Sequence, residues 1–106
     1  MKTTLEILKD ILNQRIMLLD GPRGTMIQKL KLSEETFRSD RFKNHTNDLK
    51  GNNDILCLTQ PEIVKNIYQS FLDAGSDIIC TNTFNASRIS QSDYQTENFA
   101  QEINFE

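Results

Sequence analysis

A parallel α/β unit is the fold this sequence predicts, and three observations carry the prediction. Residues 16–19 (Ile-Met-Leu-Leu) and 77–81 (Asp-Ile-Ile-Cys-Thr) read as short strands buried on both faces, the habit of parallel sheets covered by helices. Segments with helical spacing alternate with them, in the order helix, strand, helix, long excursion, helix, strand, helix. Each strand candidate ends in polar residues, Asp20-Gly21 and Thr81-Asn82-Thr83, as at the C-terminal strand ends where α/β folds collect ligands.

Residues 3–14 open the chain as a helix. Thr3 and Glu6 stand three apart and fit a capping box, in which each side chain satisfies a backbone N–H of the first turn. Leu5, Leu8, Ile11 and Leu12 make its apolar stripe. The first strand candidate stops at Asp20-Gly21-Pro22, and Met26, Ile27 and Leu30 then mark a short helix. Residues 33–53 are polar, anchored by Phe37 and Phe42, and pass through the turn-rich stretch 50–54. Residues 55–58 are an apolar tetrad that fits a strand or an extended segment. Thr59-Gln60-Pro61-Glu62 signals a helix start, with proline in the first turn. Ile63, Val64, Ile67, Phe71 and Ala74 continue it, and Gly75 stops it. Residues 86–105 carry Ile89, Tyr94, Phe99 and Ile103 at irregular helical spacing.

Composition narrows the function classes. The 106 residues suffice for one small domain and not for two. Net charge is -3, which argues against a basic nucleic-acid-binding face. Two cysteines rule out a disulfide scaffold and favour a reducing, cytoplasmic home. No apolar run approaches a membrane span, and Glu6 interrupts anything resembling a signal peptide.

The two polar clusters are the candidate site. Asp20 suits an ammonium group, and the backbone N–H groups of 21–25 suit a carboxylate; an amino acid carries both. On spacing alone, an equal alternative is that Asp20 caps the next helix while Thr81 and Asn82 satisfy loop backbone. Arg23 reads as a solvated turn residue. Cys57 and Cys80 are 23 apart without metal-ligand spacing and read as buried thiols, and His45 receives no role.

Four segments carry a resemblance: 19–28 (Leu-Asp-Gly-Pro-Arg-Gly-Thr-Met-Ile-Gln), 48–54 (Asp-Leu-Lys-Gly-Asn-Asn-Asp), 59–64 (Thr-Gln-Pro-Glu-Ile-Val) and 74–85 (Ala-Gly-Ser-Asp-Ile-Ile-Cys-Thr-Asn-Thr-Phe-Asn). From about residue 5 onward the chain resembles the homocysteine S-methyltransferases, and within them the cobalamin-dependent methionine synthases. The Asp-Gly and Thr-x-Thr-Phe elements are common to the family, and Leu-Lys-Gly-Asn-Asn-Asp points to the cobalamin-dependent branch.

The resemblance implies several expectations. The fold would be the N-terminal fragment of a (β/α)8 TIM barrel, about two barrel strands with flanking helices, because a full barrel needs about 250 residues. Residues 1–106 would be a partial homocysteine-binding domain. Homocysteine would lie against Asp20, Gly21, Thr25, Thr81, Asn82 and Thr83. In the family, zinc on three cysteines activates the homocysteine thiol, which takes a methyl group from methylcobalamin reloaded from methyltetrahydrofolate. Those cysteines are expected on later strands, so no metal ligand, cofactor or catalytic residue is assigned to this chain, and alone it is expected to be inactive. Partners would be the remaining barrel and the folate and cobalamin modules in trans, or a second copy, with neither nucleic acid nor membrane. Arg23 stands where the family usually has methionine, and Cys80 where the methionine synthases usually have an acidic residue. The alternatives are a non-catalytic amino-acid-binding or self-associating module, and a fragment of a betaine- or S-methylmethionine-dependent enzyme; the 33–54 excursion argues against the last.

Overall fold

Seven short helices and no β-strand make up the described residues, 1–105 of the computed structural model. The expected α/β barrel fragment is therefore corrected to a helical fold. Segments 16–20 and 76–80 do run side by side in parallel, but they form only one isolated bridge, Leu19 to Ile78. The Asp20 N–H donates to Ile78 O at 3.0 Å, and the Asp77 and Ile78 N–H groups both donate to Leu18 O, at 2.8 and 3.2 Å. Two donors on one carbonyl do not extend into a ladder. The physical reason is cover: a parallel strand is stabilised by neighbours and by layers on both faces. Here Leu18, Leu19 and Ile78 stay 53%, 63% and 38% exposed.

Helix α1 spans Thr4–Leu12, and the Thr3–Glu6 capping box forms as the sequence predicts. Helix α2 is Arg23–Lys29 and α3 is Glu34–Arg38. Residues 55–58, expected as strand or extended, instead wind from a 3-10 turn into α4, Leu56–Thr59. An apolar run of four cannot by itself separate the two states, and here burial of Ile55 and Leu56 on one side selects the helical one. Helix α5, Pro61–Asp73, begins at the predicted proline. No side chain caps its N-terminus, and the Thr59 hydroxyl instead donates back to Ile55 O at 3.3 Å. Gly75, at φ +110°, ends this segment in a conformation other residues rarely adopt. The irregular helix expected over 86–105 is broken into α6, Arg88–Gln91, two 3-10 turns and α7, Ala100–Phe105.

The core lies among α3, α4, α5 and α7, with Phe37, Phe42, Leu49, Leu56, Ile67 and Ile103 buried. Two polar devices hold the long excursion onto it. The Glu34 carboxylate accepts from the Lys50 N–H at 2.6 Å and from Arg38 Nε at 2.8 Å. Arg38 also donates to the carbonyls of His45 and Asn47. Deeper, Asn52, Gln91 and Thr96 form a closed buried network: Asn52 Nδ2 donates to Gln91 Oε1 (2.9 Å), Gln91 Nε2 to Asn52 Oδ1 (3.1 Å), and Thr96 Oγ1 to Gln91 Oε1 (2.8 Å). A buried polar side chain is tolerated when its partners are present, and this network ties the excursion to the C-terminal helices.

Candidate functional site

The turn at 81–83 and the face of α5 enclose a cavity of about 340 Å³. Asn82 fixes the turn. It is 6% exposed, its N–H donates to the Tyr68 hydroxyl at 2.6 Å, and its Nδ2 donates to Asn53 O at 2.8 Å. The Cys57 thiol donates to Asn82 O at 3.4 Å. With Asn82 held on three sides, the flanking Thr81 and Thr83 place their Oγ1 atoms 2.7 Å apart. Thr81, Asn82 and Thr83 all line the cavity, opposite Glu62, Lys65 and Tyr68 of α5, with Cys57 beside them. The lining thus combines hydroxyls, both signs of charge at the rim and an apolar floor that includes Val64 and Ile103.

Asp20 works one step behind this wall. Its side chain is 4% exposed, and Oδ2 accepts from the Cys80 N–H and from Arg23 Nη1, each at 2.9 Å. Arg23 Nη1 donates as well to Cys80 O at 3.0 Å. Arg23 is therefore not a solvated turn residue; it latches the end of one segment to the other, just before Thr81. Burial pushes the Asp20 carboxyl up, but the Cys80 N–H and the Arg23 charge outweigh it and hold the group below its ordinary value. Gly21 is required by close approach: a Cβ there would lie 2.8 Å from Cε1 of Phe71 on α5. Thr25 is exposed on α2.

The six expected residues thus separate. Thr81, Asn82 and Thr83 stand on the cavity wall, Asp20 and Gly21 belong to the scaffold that sets the wall, and Thr25 joins neither. Tyr68, Cys57 and Asn53, which hold Asn82 in place, were not among the residues expected at the site. Tyr68 had a signal, since it falls four after Val64 and three before Phe71 on the stripe that α5 turns inward. Burial pushes the Cys57 thiol and the Tyr68 hydroxyl upward, so both keep their protons at neutral pH.

Residues 17–106 match the family model described as homocysteine S-methyltransferase. The chain belongs to the homocysteine S-methyltransferase family. The match covers the 16–20 segment almost entirely, the latch, the excursion and the whole cavity wall. The zinc that the family resemblance implies does not fit the groups present. Cys57 is half-buried and protonated, Cys80 is exposed, and among the described residues no three His, Cys, Asp or Glu side chains are placed to hold a metal ion. The sole histidine, His45, lies 2.8 Å by Nε2 from Tyr94 O. Among the described residues no helix is long and apolar enough to cross a membrane.

Proposed function

We propose that this homocysteine S-methyltransferase family chain binds the amino-acid end of homocysteine in the cavity between α5 and the 81–83 turn. The observation that carries this reading is the placement of Thr81, Asn82 and Thr83, the family's Thr-x-Thr element, on one wall of a pocket of amino-acid size. The Thr81 and Thr83 hydroxyls would orient the substrate, and Glu62 and Lys65 at the rim offer opposite charges to its ammonium and carboxylate groups. Asp20, Gly21 and Arg23 would position that wall, and Thr25 would act only through α2. The wider reaction we propose is the cytoplasmic one that completes methionine biosynthesis: transfer of a methyl group from methylcobalamin, reloaded from methyltetrahydrofolate, to the homocysteine sulfur. Leu49-Lys50-Gly51-Asn52-Asn53-Asp54 supports the cobalamin-dependent donor over betaine or S-methylmethionine.

The chain's own residues bind and orient; none of them activates the thiol. Cys57 is a protonated neighbour of the wall, and no donor set for a thiol-activating metal is present among the described residues. We therefore propose that residues 1–106 alone leave homocysteine unmethylated, the folate- and cobalamin-binding modules acting from elsewhere. Calorimetric titration with homocysteine tests the binding half. The expected result is saturable binding that weakens at least several-fold in Asn82→Leu, checked for fold by circular dichroism. No heat in the wild-type chain contradicts the reading.

A further inference from the structure

We propose, resting on the binding reading above, that the Tyr68 hydroxyl donates to the carboxylate of the bound amino acid and selects ligands that carry one. A tyrosine hydroxyl has one proton to give and lone pairs with which to accept. The Asn82 N–H can only donate, and it reaches Tyr68 Oη at 2.6 Å, so in that bond Tyr68 is the acceptor. Its own proton calls for another partner, and among the described residues it has none. The hydroxyl is the end of Tyr68 that meets Asn82, a wall residue, and Tyr68 itself lines the cavity. The unpaired proton therefore opens on the cavity. Burial pushes the group upward, so it remains a donor at neutral pH.

The neighbours of Tyr68 on α5 say which ligand group it meets. Glu62, Lys65 and Tyr68 all line the cavity at three-residue spacing, so they climb one side of the helix in steps of about 4.5 Å. Among the described residues neither Glu62 nor Lys65 has an ion-pair partner. Lys65 sets a positive charge one turn from the free O–H, and that pair suits an anion. Glu62, beyond Lys65, suits the ammonium group. An O–H donated to a carboxylate is short and charge-assisted. The Thr81 and Thr83 hydroxyls already bond to each other at 2.7 Å, so one of their two protons is engaged, whereas the Tyr68 proton is wholly available. A ligand without a carboxylate leaves this half-buried donor unpaired, which is how a polar site discriminates against an analogue that lacks the group it binds.

NMR titration of the chain carrying carbon-13 at tyrosine Cζ tests the proposal. The chain has two tyrosines, and Tyr94, which does not line the cavity, is the internal reference. Homocysteine, and mercaptobutyrate, which keeps the carboxylate and lacks the ammonium group, should move the Tyr68 signal saturably. Aminopropanethiol, which lacks the carboxylate, should leave it in place. Tyr68→Phe should weaken homocysteine by about tenfold or more and change aminopropanethiol by less than about twofold. The substitution also takes the acceptor from the Asn82 N–H, so a merely structural role would weaken both ligands alike, and equal loss overturns the proposal. So does homocysteine that saturates the amide shifts of Thr81, Asn82 and Thr83 while the Tyr68 signal stays still; the binding reading then stands without it. If homocysteine gives no saturable shift on the wall, the reading and this proposal fall together.

Discussion

Asp20 shows how far one carboxylate can serve structure while lying beside a site. Its two partners at 2.9 Å join residues 20, 23 and 80, so removing the charge leaves Arg23 without its ion pair. Asp20→Asn should cost about 1–3 kcal/mol by denaturant melting, the range for a buried group that loses a charged partner. Its folded carboxyl lies below the unfolded value, so its contribution is complete above the unfolded aspartate range and is lost as pH falls through the folded one. Asp77 behaves in the same sense. The Arg15 fork and the Leu18 N–H hold it at about 2, so its contribution should fade as pH falls from near 4 toward 2. Carboxyl chemical shifts recorded across acid pH check both, and Asp77→Asn should remove the lower part of that acid sensitivity. Gly21→Ala places a methyl against the Phe71 ring and should cost about 1–3 kcal/mol; Phe71→Leu in the same chain should recover part of it.

Helices α3 to α7 are held by a few polar knots as much as by apolar contact. Gln91→Leu takes from buried Asn52 and Thr96 their bonds to the Gln91 side chain, the donor to Asn52 Oδ1 included. It should destabilise by about 1–3 kcal/mol, with a strongly non-additive double cycle against Asn52→Leu. The legibility of the elements follows the same line between local and distant causes. The α1 cap, the Pro61 start and the Gly75 stop are local chemistry, and all three could be read from neighbouring residues. The strands could not, because a strand is completed by what lies beside it. Ile16, Met17, Leu18 and Leu19 have the composition of a buried strand, but the described residues supply one neighbour and no covering layer, so one bridge results. Residues 55–58 failed differently: four apolar residues fit either state, and burial against the core made them helical. In the site, Thr81, Asn82 and Thr83 were legible as a polar cluster. The contacts of Tyr68 and Asn53 with Asn82 were not, since they join residues 14 and 29 positions apart.

For the chain taken together, the family match and the geometry of one pocket wall are the two grounds on which the binding proposal rests. The match over residues 17–106 assigns the family, and the fold holds the Thr-x-Thr turn against α5 through Asn82, with the Asp20–Arg23 latch behind it. No thiol-activating donor set stands among the described residues, so binding and turnover are expected to separate in this chain. The most direct measurement is an amide NMR titration with homocysteine. Saturating shifts at Thr81, Asn82, Thr83, Glu62 and Lys65, with smaller ones at Asp20 and Cys80 and none at Thr25, are the predicted result. Shifts absent from the 81–83 turn and α5 at saturating homocysteine, or confined to α2, would contradict it.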